Sequence, residues 1–155
     1  MTLPRAALRV ADALGAAGLP TGIREMPAST RTAEEAAQAC GCPLGAIVKS
    51  LVFRTGDDGV LILTSGANRV HEKRVGRRLG IPLARAGAGW VRDTTGFAIG
   101  GIPPLGHATA MTVVMDQDLL AFDTVWAAAG TPNAVFPCDP EALAKAAGAR
   151  IIDVS

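Results

Sequence analysis

Apolar and polar positions along this chain switch between helical and strand spacing, and the switches predict its elements. Pro4 opens a first helix, in which Leu8, Ala11 and Leu14 form an apolar side. Gly18 and Pro20 end it, and "TGIREM" (21–26) reads as a short strand. Thr32-Ala-Glu-Glu35 is a capping box for a helix "AEEAAQAC", which should stop near Gly41 and Pro43. Two strands follow, "AIVKSLVFR" (46–54) and "GVLILTS" (59–65), with Asp58-Gly59 as a hairpin signal between them. A second long helix covers about 71–79. Residues 85–106 look irregular apart from a helical turn around Trp90. "HATAMTVVMD" and "TVWAAA" are later strands, Asp139-Pro140-Glu141 caps a last helix closed by Gly148, and "RIIDV" ends the chain as a strand. The irregular alternation predicts an α+β fold: one mixed, strongly curved, barrel-like sheet with surrounding helices.

A length of 155 residues fits one domain spanning 1–155, long enough to bury a core without staples. The 49% apolar and 19% charged content argues against disorder. A net charge of +1 predicts no global attraction to DNA or to a membrane, so any polyanion must meet a local basic patch. Arg5, Arg9 and Asp12 interrupt the first segment, which predicts no signal peptide, and no run reaches the ~18 apolar residues of a membrane span. Three cysteines (Cys40, Cys42 and Cys138) make no closed disulfide framework, so the expected setting is the reducing cytoplasm.

Three features could carry chemistry. Lys49 shares a strand face with Ile47, Leu51 and Phe53, where an ammonium must find an anion, lose its proton, reach a cleft or snorkel to water. "IGGIPPLGH" (99–107) combines glycines that permit close backbone approach with prolines that stiffen the turn. Its amides could hold a carbonyl or phosphate oxygen, or it could be a rigid connector. In "NRVHEKRVGRRLG", Arg69, Lys73, Arg74, Arg77 and Arg78 lie opposite the Val75/Leu79 core stripe, as a phosphate-binding arc or a solvated face. The cysteines with His71 and His107 lack zinc-ligand spacing, and no serine elbow is present, so no metal, cofactor or covalent nucleophile is expected.

Taken in order, "IVKSLVF", "ANRVHEKRVGRRLG", "VRDTTGFAIGGIPPLGH" and "VWAAAGTPNAVF" resemble the YbaK-like aminoacyl-tRNA deacylases, relatives of the editing domain of bacterial prolyl-tRNA synthetases. The resemblance runs from about Thr30 to the C-terminus. It implies a metal-independent hydrolase that deacylates mischarged aminoacyl-tRNA in trans, with an aminoacyl-tRNA synthetase as a further partner. By this likeness Lys49 and Gly101 are the catalytic positions. Thr30, Gly100, Ile102, Pro103, Gly106, His107 and Asn133 line the acyl pocket, and the basic arc meets tRNA phosphates. Some cysteine-removing relatives carry an aspartate where this chain reads "NAVF", so that substrate preference does not transfer. A non-catalytic module holding a tRNA end or nucleotide, and a regulatory protein that kept the fold, are the competing readings. Turnover of mischarged tRNA separates the first of these from an enzyme.

Overall fold

A computed structural model describes residues 3–155, so the first two positions of the expected 1–155 domain lie outside it. Its elements in order are α1 (Arg5–Ala16), β1 (Arg24–Glu25), α2 (Ala33–Cys40), β2 (Ile47–Thr55), β3 (Asp58–Ser65), α3 (Glu72–Leu79) and β4 (Ala84–Arg85). Then come α4 (Ala88–Thr95), β5 (Thr112–Asp116), β6 (Val125–Ala128), β7 (Ala134–Cys138), α5 (Pro140–Ala147) and β8 (Arg150–Ile152). One mixed sheet runs β1-β7-β6-β2-β3-β5-β8, with β4 paired to β2 off this path. The sheet stays open between β1 and β8, so the barrel-like curvature does not become closure.

The two faces of the sheet bury separate apolar clusters. Val48, Leu61, Leu63, Met115, Phe136 and Leu143 belong to the larger one, which also takes in Ala7, Val10 and Leu14 of α1. Phe53, Val60, Ile62, Val75, Val114 and Ile152 form the other, under α3. Each fully buried side chain of this size contributes roughly 1.5–3 kcal/mol. No helix among the described residues is long and apolar enough to cross a membrane.

Local chemistry accounts for most boundaries. Thr32 and Glu35 form the reciprocal capping box, and Asp139 caps α5 with Pro140 in its first turn. Gly41, Gly80, Gly96 and Gly148 end four helices in the left-handed conformation that glycine adopts without a Cβ clash. His71 turns out to be a cap as well, its Nδ1 accepting the Arg74 amide at 3.2 Å.

Three expectations are corrected. In α1 the buried stripe is Ala7, Val10 and Leu14, while Leu8 is 44% exposed, because the 7-10-14 face packs on the sheet. The β2–β3 hairpin turns at Gly56-Asp57, since Thr55 already pairs with Asp58. Gly56 has φ +60° at the first central position, where type II′ turns favour glycine, and Gly59 lies in the strand beneath Met111. The stretch around Trp90 is a full helix of 8 residues. Gly89 and the β-branched Val91, Thr94 and Thr95 weaken its intrinsic propensity. Tertiary contacts supply the rest. Val91 is buried, Thr95 Oγ1 back-bonds to the Val91 carbonyl at 2.8 Å, and Arg9 of α1 bonds the Gly96 carbonyl and stacks 4.4 Å over Phe97.

Candidate active site

The site begins with a gap in the sheet. On the edge of β2 away from β3, Ile47 and Val48 pair with β6, while Phe53 and Arg54 pair with β4. Residues 49–51 have no strand beside them on that edge among the described residues. Two cavities open there, and Lys49, Ser50 and Leu51 line both. One, of about 260 Å³, has mostly aliphatic walls from Ala36, Val48, Ile102 and Ala127, and Thr30, Arg31 and Trp126 line it too. The other, of about 380 Å³, adds Arg69 and Arg85.

Lys49 stands at the junction, and its position is built rather than incidental. Its Nζ donates to the Asn68 carbonyl at 2.7 Å. Asn68 is itself pinned: Nδ2 donates to Asp116 at 2.9 Å and to Asp118 at 2.7 Å. Asp116, only 1% exposed, also accepts the amides of Ser65 (3.0 Å) and Asp118 (2.9 Å). A buried carboxylate thus organises the turn after β3, and that turn holds the ammonium. Burial pushes the Lys49 pKa below its ordinary 10.5, with Glu34 and Asp116 opposing the shift and Arg69 reinforcing it.

The glycine–proline loop divides into two parts. Gly100 and Ile102 reach the enclosed cavity, with the exposed Ile99 at its rim. The rest is core. His107 Nε2 lies 2.7 Å from the Pro103 carbonyl and its ring meets Phe97 edge-on at 6.5 Å, so burial lowers its pKa and its hydrogen bond serves the loop. Pro103 is buried, and Gly106 sits against Ala13 of α1. Gly101 is buried too: its N–H goes to the Ala98 carbonyl (3.1 Å) and its own carbonyl accepts from Gly130 (2.9 Å). A Cβ there would lie 2.8 Å from the Gly130 carbonyl carbon. The close approach expected at Gly101 is therefore main chain to main chain, not main chain to substrate.

The remaining sequence candidates also separate. Thr30 is 7% exposed and lines the cavity, its Oγ1 donating to the Pro132 carbonyl at 2.9 Å. Asn133 lies outside both cavities; its Nδ2 donates to the Met26 carbonyl at 3.2 Å and ties β1 to the turn before β7. Arg69 faces the larger cavity, and Lys73 and Arg77 project from α3 into solvent. Arg74 and Arg78 are occupied at the C-terminus, Arg74 with the Ser155 carbonyl (3.2 Å) and Arg78 with Asp153 (3.7 Å). The cysteines are unpaired, and burial pushes Cys40 to about 11 and Cys138 to about 12, which keeps them protonated and poor nucleophiles. No three His, Cys, Asp or Glu side chains converge among the described residues.

The profile of the aminoacyl-tRNA editing domain matches residues 27–146, a span that includes every part of this site. The chain belongs to that family. The editing-domain fold is shared along nearly the whole chain with a crystal structure of a proposed trans-editing enzyme for prolyl-tRNA synthetase: 46% identity, TM-score 0.94, 99% of each chain covered. The uncharacterised protein YwhH of Bacillus subtilis (strain 168) is 33% identical over 85% of each sequence. A proline–tRNA ligase of Pelotomaculum thermopropionicum is also 33% identical, over 66% of this chain but only 18% of the ligase. This editing domain therefore corresponds to a small part of that synthetase.

Sequence reasoning reached Lys49 and Thr30 but missed Ser50, Asn68 and Asp116. Ser50 carried only its place next to Lys49 as a signal; that its buried Oγ has no hydrogen-bond partner among the described residues is visible only in the structure. Asp116 carried one as well, as an acid closing the apolar run "TVVM". Its link to Lys49 through Asn68 is a tertiary fact that no spacing reveals.

Proposed function

We propose that this editing domain hydrolyses the ester of mischarged aminoacyl-tRNA, acting in trans and without a metal ion. The observation that carries the reading is the fixed Lys49 ammonium between a mostly aliphatic cavity that Arg31 also borders and a more open one bearing Arg69 and Arg85. The first suits a small acyl side chain. The second suits the terminal nucleotide, with Arg69 and Lys49 near its phosphate or ribose. Water adds to the acyl carbon and the ester C–O bond breaks. The ribose oxygen leaves as a hydroxyl, and the amino acid departs as a carboxylate with one proton released to solvent. An aminoacyl ester is already reactive, so positioning and charge stabilisation suffice without a covalent nucleophile. Acting on tRNA, the protein would work in the cytoplasm beside a synthetase.

Single-turnover deacylation of a panel of mischarged tRNAs tests this reading. Turnover supports it, whereas protection of the ester from spontaneous hydrolysis would favour a binding module instead. Chelator treatment should leave the rate unchanged, consistent with the absence of a three-ligand cluster among the described residues. Loss on chelation with recovery on zinc would overturn the metal-free step.

The basic arc gives a second test. Lys73 and Arg77 are both exposed, with Arg77 donating to the Lys73 carbonyl of its own helix at 3.4 Å, whereas Arg74 and Arg78 are engaged with the C-terminus. A Lys73→Ala/Arg77→Ala variant should therefore raise KM and reduce the slope of log KM against log salt, by about 0.7–0.9 for each phosphate no longer neutralised. Arg74→Ala/Arg78→Ala should act mainly on stability. An unchanged slope in the first pair would return α3 to a solvated face.

A further inference from the structure

We infer that the unpaired edge of β2 at Ser50 binds the main-chain part of the aminoacyl group, as a one-residue antiparallel bridge. This rests on the deacylase reading and specifies how its substrate is held. The direction of each main-chain group on β2 follows from one hydrogen bond. The Gly66 amide donates to the Ile47 carbonyl at 2.8 Å, and continuing the β2–β3 register one step beyond its Val48–Ser65 pair sets Ile47 opposite Gly66. Ile47 therefore points its N–H and C=O toward β3. Antiparallel pairs alternate, so Lys49, Leu51, Phe53 and Thr55 do the same. The closing Thr55–Asp58 pair of the two-residue hairpin agrees with that phase.

Val48, Ser50, Val52 and Arg54 thus direct their main-chain groups to the opposite edge. Val48 meets β6 there and Arg54 meets β4. Val52 borders the Phe53–Arg85 pair, whose flanking hydrogen bonds fall on Val52 and Arg54, and Ser50 meets no strand among the described residues. A gap of this length is too short for another strand to enter. Both cavities open on Ser50, but Val52 lines only the larger.

An aminoacyl ester presents what such an edge lacks. Its ammonium donates and its carbonyl accepts, on either side of one α-carbon, as in a strand residue. The ammonium would donate to the Ser50 carbonyl, and the Ser50 N–H would donate to the acyl oxygen. Paired residues in a sheet put their side chains on the same face. The acyl side chain would then lie beside the Ser50 side chain in the enclosed cavity, where the Ser50 Oγ has no other partner among the described residues. When water adds to the acyl carbon, negative charge grows on the oxygen that Ser50 N–H already holds. This recognition requires a free α-ammonium and is indifferent to much of the side chain.

Three non-hydrolysable probes test the inference: 3′-amino-3′-deoxyadenosine carrying an alanyl, an N-acetylalanyl or a lactyl group in amide linkage. The readouts are dissociation constants and amide hydrogen exchange at Ser50, followed by NMR on the full chain. The Ser50 amide should exchange freely in the free protein and slow at least ~10-fold with the alanyl probe. Loss of the ammonium in the other two should weaken binding about 10- to 100-fold, the worth of a charge-assisted hydrogen bond. A Ser50 amide already protected in the free protein would overturn the bridge. So would equal affinity for all three probes. If the alanyl probe perturbs Lys49 and Ile102 but leaves Ser50 exchange unchanged, the bridge fails and the deacylase reading stands. If no probe binds, both fall.

Discussion

A Lys49→Met variant is expected to fold normally and to lose roughly 100- to 1,000-fold in single-turnover deacylation, the range for removing one preorganised charge-stabilising group. Methionine keeps the unbranched stem and deletes only the ammonium. Stability should change by no more than ~1 kcal/mol, because relief of the lysine's desolvation offsets the missing hydrogen bond to Asn68. Lys49→Arg retains the charge, but its planar head cannot occupy the ammonium's place on the Asn68 carbonyl, so rescue should be poor. The pH dependence has a definite sign. The charged form is the active one and burial lowers its pKa, so the rate corrected for spontaneous hydrolysis should fall as pH rises, beginning below the ordinary 10.5. Thermal unfolding beside single-turnover kinetics checks all three statements. A methionine variant with the wild-type rate would remove Lys49 from the mechanism and leave Asn68 and Asp116 as scaffolding.

What the sequence disclosed about this site depended on whether the signal was local. The Thr32 and Asp139 caps, the helix-ending Gly41 and Gly148 and the lysine on an apolar strand face are written within a few residues, and they are found where expected. The helix at 88–95 was legible only as a turn around Trp90, because its own residues disfavour helix and its support comes from Arg9, over eighty positions away. The arc on α3 was legible as charge but not as contact, since Asp153 and Ser155 take two of its arginines only after β8 docks. The gap in β2 was equally hidden. It exists because β6 covers one end of the strand and β4, only two residues long, covers the other. Glycines were the most ambiguous letters, for a bare α-carbon looks the same whether it leaves room for substrate or for another stretch of the chain.

Gly101 settles which of those two it is, through an experiment with a large expected effect. Gly101→Ala should destabilise the fold, and activity should be lost with it rather than in place of it. The glycine's φ does not lie in the left-handed region, so alanine is not strained by conformation. The obstacle is space. The new Cβ would stand 2.8 Å from both Gly130 C and Thr131 N and 2.9 Å from Gly130 O. Carbon contacts normally sit at about 3.5–4.0 Å, so the two segments must part by several tenths of an ångström or more. Moving apart would stretch the 2.9 Å bond from Gly130 N–H to the Gly101 carbonyl. Gly130 has no room to retreat, because its own α-carbon faces the Ala6 carbonyl of α1, where a Cβ would lie 2.7 Å away. Three main-chain segments are therefore stacked with no side chain between them. Overpacking of this kind costs about 1–3 kcal/mol, and the upper end is expected where only backbone can yield. For a chain of this size that lowers the melting temperature by roughly 5–10 °C. Gly100→Ala is the matched control. Its φ of +98° adds local strain, but its Cβ would meet only the Arg31 side chain, at 3.1–3.4 Å, and that chain can swing aside. The Gly100 variant should therefore lose less stability and show its defect at the cavity, as a higher KM. A Gly101→Ala protein that melts with the wild type would mean that the segments separate freely, and Gly101 would return to the acyl pocket.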